Sequence, residues 1–290
     1  MSASETLGRW LSRVPAPAHR ILPYGPRADL RRRFGRVRPW EEGYDLAPPA
    51  AALPVGPPDF VGVGAPLCGT QWWFDLISAH PGVAHSYGRP AGLHYFSHFC
   101  LRDFDAADVA RYQAWFPRPS GTLAGEWTAS YAAQPWVPPL LAAAAPEARL
   151  IFLVRDPVER FRDGMSRITE TRVANDGAAV SDVTDRGFYA VQLRRLRQFF
   201  PAERILVLQF EHCVTDVDSQ LAGTYRFLGL DDGYRPSSRQ APATPDVPPL
   251  DDSVADRLSQ LYAEDTRDLV ALVPHLDLDR WPIFRSRPLR

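Results

Sequence analysis

Hydrophobic positions along the chain fall into short solid runs separated by longer amphipathic stretches. Phe60-Val61-Gly62-Val63-Gly64 and Leu150-Ile151-Phe152-Leu153-Val154 are unbroken apolar runs, the pattern of strands buried on both faces, and residues 204–210 read as a third. Between and after them, apolar residues recur at helical spacing. That spacing predicts helices over 72–77, 105–116 (with Asp105 as N-cap), 188–199, 216–228 and 251–272, and Pro157 is placed to open another just after the second strand. Residues 172–186 are polar and are expected to form a loop. Strands alternating with helices make an α/β fold around a mainly parallel sheet. That domain is expected to span residues 59–290. Residues 1–58 carry an arginine cluster from Arg27 to Arg38 and then a Pro/Ala-rich stretch, and read as an extension.

Composition narrows the class. The 290 residues are 45% hydrophobic and 23% charged, which excludes a disordered chain, a disulfide scaffold and a coiled coil. No apolar run approaches a membrane span, and the N-terminus has no apolar leader. Cys68, Cys100 and Cys213 are odd in number and widely spaced, so neither a disulfide framework nor a zinc site is expected, and a cytoplasmic setting fits. The 33 basic residues are all arginine and face 34 acidic ones, a net charge of −1. That balance offers no general attraction for nucleic acid or a polyanionic polysaccharide, and a small-molecule substrate is expected instead. Without lysine there is no Schiff base, and any phosphate clamp must use arginine or backbone amides.

The chemistry-bearing segment follows the first strand. Gly64-Ala65-Pro66-Leu67-Cys68-Gly69-Thr70 has the glycine spacing of a phosphate-binding loop between a strand and a helix. A nucleotide triphosphatase needs lysine after the second glycine; Thr70 stands there. A tight strand-to-helix turn explains the loop as well as phosphate binding does.

From this loop onward the chain resembles the sulfotransferase family, which transfers a sulfuryl group from 3′-phosphoadenosine 5′-phosphosulfate (PAPS) to an alcohol, phenol or amine. Residues 61–81 resemble its 5′-phosphosulfate loop, and 150–167 its 3′-phosphate segment. His94-Tyr95-Phe96, Gly125–Thr128, 204–230 and 247–281 resemble further family elements in the same order. The resemblance implies a three-layer sandwich around a parallel sheet with a P-loop-like loop. It also implies PAPS as donor, held by Gly69, Thr70, Gln71 and Arg155, the last on the 3′-phosphate. Four positions depart from the family. Leu67 replaces a basic residue that steadies the leaving group, Gln71 a threonine, Gly92 the general base found in many members, and Asp163 a serine at the 3′-phosphate.

Replacement chemistry has few candidates. His94 can serve as acid or base near neutral pH, with His98 a weaker choice; a structural histidine is the plainer reading of His94. Asp163 either plugs the 3′-phosphate site by pairing with Arg155, the favoured reading, or acts as base or cation acceptor. Glu126 is a second carboxylate candidate, with a structural acceptor as its plainer role. Cys68 at a helix N-terminus would have a lowered pKa and could be a nucleophilic thiolate, with a small buried residue as the favoured reading. Trp73, Tyr95, Phe96, Trp127 and Tyr131 are candidates to line an apolar substrate pocket. Three readings follow, in order. The first is an enzyme of this fold repurposed for PAPS-independent cyclisation, elimination or hydrolysis, with no cofactor. The second is a working PAPS-dependent sulfotransferase in which Arg160, Arg162 or Arg239 supplies the missing cation. The third is a catalytically dead binding protein.

Overall fold

The computed structural model describes residues 47–48, 52–84, 92–171, 177–242 and 247–286; the arginine cluster at 27–38 lies outside them. Four strands, β1 (Phe60–Gly64), β2 (Gly125–Trp127), β3 (Arg149–Val154) and β4 (Ile205–Gln209), form one parallel sheet in the order β2-β1-β3-β4. The two apolar runs become neighbours: Val61 pairs with Leu150 and Gly62 with Ile151, while Leu150 to Val154 pair with Ile205 to Gln209. Every residue of β1 is buried, as are the five apolar residues of β3, so the solid runs carry the hydrophobic centre of the domain.

The helices are α1 (Thr70–Ser78), α2 (Ala106–Gln113), α3 (Val137–Ala144), α4 (Pro157–Thr171), α5 (Gly177–Asp185), α6 (Tyr189–Leu196), α7 (Phe210–Thr215), α8 (Val217–Leu228), α9 (Asp252–Leu272) and α10 (Pro282–Ser286). They sandwich the parallel sheet, giving the mixed α/β fold expected from the alternating pattern. Asp105 caps α2 as anticipated, accepting from the Ala107 and Asp108 amides. Helix α1 is tied to α8 by Trp73 Nε1, which donates to Thr224 Oγ1, and by Tyr225 Oη, which donates to the Leu76 carbonyl. Helix α9 reaches α6 through Asp265, whose carboxylate accepts the Ala190 and Val191 amides.

One expectation is overturned. Much of the segment expected as a loop at 172–186 is helix α5. Its Ala179 and Val183, one turn apart, are buried, and Val183 lies against Gly164 of α4. Two apolar positions make too narrow a stripe to stand out in sequence. Helix α3 and strand β2 were hidden for other reasons. Pro138 and Pro139 occupy the first turn of α3, where the missing N–H groups cost nothing, and three residues show no alternation.

The C-terminal segment is fastened to the sheet by two carboxyls, Asp156 fully buried and Glu211 half-buried. Asp156 caps α4 by accepting the Val158 and Glu159 amides, and its other oxygen accepts the Ile283 amide of α10. Glu211 accepts the Asp156 amide and the Trp281 indole N–H. Burial raises Asp156 to about 6 and Glu211 to about 7, against the opposing effect of these bonds. A carboxyl that binds its proton more readily when folded contributes fully below its unfolded pKa, about 4, and loses that contribution as pH rises. The urea midpoint of the wild type should therefore fall between pH 5 and 8, through the folded values of 6 and 7. Glu211→Gln, which cannot ionise, should flatten that fall; parallel pH curves for the two proteins would refute the assignment.

Candidate functional site

Because all four strands run the same way, the segments that leave β1, β3 and β4 emerge at one edge of the sheet. These are the loop 65–69, Arg155 and Phe210. Gly69 enters α1 in the left-handed region (φ 78°), and no side chain caps the helix, so the first-turn amides of Thr70 and Gln71 have no capping side chain. A methyl group at Gly69 would meet the Phe210 ring at 2.6 Å, so both the backbone angle and the ring require glycine here. Gln71 is turned along the helix, its amide donating to Asp75.

Arg155 and Asp163 are brought together. Arg155 Nη1 donates to Asp163 Oδ2 at 2.5 Å and to the Leu67 carbonyl at 3.2 Å, while its guanidinium lies over the Phe210 ring. Asp163 is 3% exposed and Arg155 8%. Burial works against the arginine's charge. The bond and field of Asp163, then the fields of Cys68 and Glu211, outweigh it and hold Arg155 above its ordinary pKa. The guanidinium is thus committed to a carboxylate and to the loop itself. The other cations considered from sequence are engaged elsewhere. Arg162 pairs with Glu159 at 2.7 Å, and Arg239 with Asp218 at 3.0 Å. Arg160 is fully buried and bonds the Val183 carbonyl through Nη2, but its Nε and Nη1 have no hydrogen-bond partner among the described residues.

Glu126 sits in a tight polar knot at the end of β2. Its carboxylate accepts Thr128 Oγ1 at 2.6 Å, Tyr112 Oη at 2.9 Å, Tyr131 Oη at 3.1 Å and the Leu93 amide at 3.2 Å. Burial raises its pKa despite those donors. Four donors to a carboxylate 4% exposed describe a structural acceptor, the plainer role named from sequence. Thr128 belongs to the segment singled out by resemblance, whereas Tyr112 carries no signal in sequence, since nothing there links position 112 to 126. His94 is exposed, lies in the left-handed region (φ 52°), and its amide donates to Thr128. Its Nδ1 is 3.5 Å from Ser130 Oγ.

Gly92 is more than a missing carboxylate. A Cβ there would lie 2.4 Å from Thr128 Oγ1 and 2.5 Å from the Trp127 carbonyl, so the backbone has closed onto β2 and leaves no room for any side chain. Cys68 is the small buried residue favoured from the sequence and not the reactive thiolate. It is fully buried with Sγ 3.8 Å from Tyr189 Oη, and burial raises its thiol to about 11 although Arg160 and Arg155 pull the other way. A helix N-terminus acting on an exposed thiol would lower that value; here loss of water dominates.

The aromatic residues named for a pocket are core residues. Trp73, Tyr95, Phe96 and Tyr131 are fully buried and Trp127 nearly so. Tyr95 Oη donates to the Asp108 carbonyl, and Phe96 packs against Tyr112 and Tyr131. The half-buried rings beside the loop are Trp72 and Phe210, packed edge to face at 6.4 Å; the sequence pattern did not single out Phe210 because it ends an apolar run. Gly92→Ala should cost about 1–3 kcal/mol by overpacking, read as a lowered thermal midpoint with an intact circular-dichroism spectrum. An unchanged midpoint would mean the backbone there is free to move and can accept a side chain.

Residues 136–234 match a family model described as the sulfotransferase family. The chain is 26% identical over 188 residues to human heparan sulfate glucosamine 3-O-sulfotransferase 3B1, covering 60% of this chain and 46% of that protein. It is 27% identical over 202 residues to mouse heparan sulfate glucosamine 3-O-sulfotransferase 6, covering 62% and 57%. The chain therefore spans about half the length of these curated relatives. Among solved structures, a sulfotransferase from Alicyclobacillus acidocaldarius superposes with a TM-score of 0.62 at 22% identity, covering 77% of this chain and 98% of that one. The chain thus has the fold of a sulfotransferase, and its residues 136–234 match the sulfotransferase family model.

Proposed function

We propose that the chain is a sulfotransferase-fold enzyme whose 3′-phosphate subsite is closed from within, and that it acts on a small, aromatic or hydrophobic metabolite without PAPS. One observation carries this reading: the buried Arg155–Asp163 pair. The arginine that the family resemblance assigns to the 3′-phosphate already holds a carboxylate, and that carboxylate would meet an incoming phosphate with like charge. The residues present do not fit the 3′-phosphate of PAPS. Losing the Arg155 contact and gaining this repulsion are each worth about 1.5–3 kcal/mol, together about a thousandfold in affinity. Leu67 in place of a cation and the closed backbone at Gly92 support the same reading, since each removes a group that sulfuryl transfer uses.

Within this reading His94 is the proton-transfer candidate, being exposed beside the polar knot, while Asp163 and Glu126 serve as plug and structural acceptor. The reaction class is cyclisation, elimination or hydrolysis, and no step is routed through a donor nucleotide. The named relatives act on heparan sulfate; the balanced charge of this chain supports a small acceptor instead. Among the described residues no helix is long and apolar enough to cross a membrane. Three free cysteines support a cytoplasmic setting.

PAPS-dependent sulfuryl transfer is the second reading. It is favoured by the two nitrogens of Arg160, Nε and Nη1, that have no hydrogen-bond partner among the described residues, and by the reach of its field to Cys68 in the loop. Titration calorimetry with 3′-phosphoadenosine 5′-phosphate separates the two. The expected result is no heat of binding to the wild type at millimolar ligand, with binding appearing in the Leu67→Arg/Asp163→Ser double variant. Micromolar binding to the wild type, about −8 kcal/mol, would overturn the closed-site reading and favour the second.

A further inference from the structure

We infer that Glu126 is a positioning residue: directly and through Thr128 and Tyr131, its carboxylate holds the backbone turn that carries His94 and so sets where the imidazole stands. The inference rests on the reading of His94 as the proton-transfer group and names what keeps that group in place.

Three consecutive backbone amides lead to this one carboxylate. The Leu93 N–H donates directly to Glu126 Oε2 at 3.2 Å. The His94 N–H donates to Thr128 Oγ1 at 3.1 Å, and that hydroxyl donates onward to Oε2 at 2.6 Å. The Tyr95 N–H donates to Tyr131 Oη at 2.9 Å, and that hydroxyl donates onward to Oε1 at 3.1 Å. An amide N–H can only donate, so each hydroxyl accepts on one side and places its own proton on the other. An ionised carboxylate, which only accepts, lets both relays run in the same direction. Glu126 is 4% exposed and none of its four donors is a cation, so the knot bears the cost of withdrawing a charge from water. Three of those four donors belong to, or relay from, residues 93–95.

The turn they hold is one the chain does not adopt freely. His94 has φ 52° and ψ 24°, left-handed for a residue with a side chain, just before the short 3₁₀ helix Tyr95–Phe99. Its own amide and those on either side are fixed by the knot. Its Nδ1 lies 3.5 Å from Ser130 Oγ, on the same stretch as Thr128 and Tyr131. Gly92 completes the arrangement: a Cβ there would meet Thr128 Oγ1 at 2.4 Å and push the amides away from the carboxylate. Backbone and ring are both referenced to residues 126–131, which is the fixed geometry a proton-transfer group needs.

Nuclear magnetic resonance on the full chain reads this turn without a substrate. The two signals are amide exchange at residues 93–95 and the ring resonance of His94, assigned by its loss in His94→Gln. In the wild type the three amides should exchange slowly, although Leu93 and His94 lie outside every helix and strand. Thr128→Val keeps the side-chain shape and the Glu126 charge. It should speed exchange at His94 about tenfold and displace the ring resonance while the β3 amides hold their rates. Thr128→Ser, which returns the hydroxyl, should restore both signals. Glu126→Gln should release all three amides, since its NH2 group brings protons where the relays need an acceptor; Tyr131→Phe replaces it if that variant does not fold. A change that speeds the β3 amides equally, or a His94 resonance indifferent to Thr128→Val, would overturn the inference and leave the closed-site reading untouched. That reading stands or falls on the calorimetry above, which does not report on the turn.

Discussion

The contact on which the functional edge of this protein depends is the ion pair between Arg155 and Asp163. It joins the residue that follows β3 to the second turn of α4, and through the Leu67 carbonyl it reaches back to the loop after β1. Such a pair gains Coulomb energy in a medium where neither partner is well solvated, and breaking it by removing one member leaves an uncompensated buried charge. That asymmetry holds Arg155 and Asp163 together in the folded chain. Once a carboxylate stands eight residues along the helix, the arginine has a permanent partner, and the geometry of the loop is held without any ligand.

Other features of the edge follow the same logic of internal replacement. Where the resemblance implies a base, the backbone at Gly92 lies against Thr128 and the Trp127 carbonyl, and the nearby carboxylate, Glu126, is engaged by four donors. Where a helix N-terminus invites a reactive thiolate, Cys68 is sealed beneath the loop and kept protonated by burial. Groups that face ligand in the family resemblance here face protein. What remains toward the surface is the uncapped start of α1, the exposed His94 and the half-buried rings of Trp72 and Phe210. These are few, chemically distinct and arranged along one edge of the sheet, with His94 beside the C-terminal end of β2. The C-terminal segment closes the same edge from behind, since Asp156, adjacent to Arg155, takes the Ile283 amide while Glu211, adjacent to Phe210, takes the Trp281 indole. Protonation of those two carboxyls thus bears on a segment directly behind the arginine.

Much of this was legible in the amino-acid order. The solid apolar runs at 60–64 and 150–154 became adjacent central strands, because a strand covered on both faces cannot carry polar residues. Asp105, Pro157 and the periodic stretches at 216–228 and 251–272 specified helices through local rules of capping and period. The pairing of Arg155 with Asp163 was anticipated from the resemblance, which puts both positions at the family's 3′-phosphate segment. Helix α5 was not, because its two buried residues acquire meaning only against Gly164.

The division has a physical cause. Sequence alone determined the alternating α/β order, the glycine loop, the loss of the family cation at Leu67 and the acid at 163, all of which depend on residue type and near neighbours. Only the tertiary structure decided which aromatic rings are core and which flank the loop, that Glu126 is saturated, that Gly92 has no room, and that Asp163 keeps one oxygen unmet. Those outcomes turn on desolvation and on distances of two to four ångströms between segments far apart in the chain. Neither quantity exists until the sheet has brought the segments together.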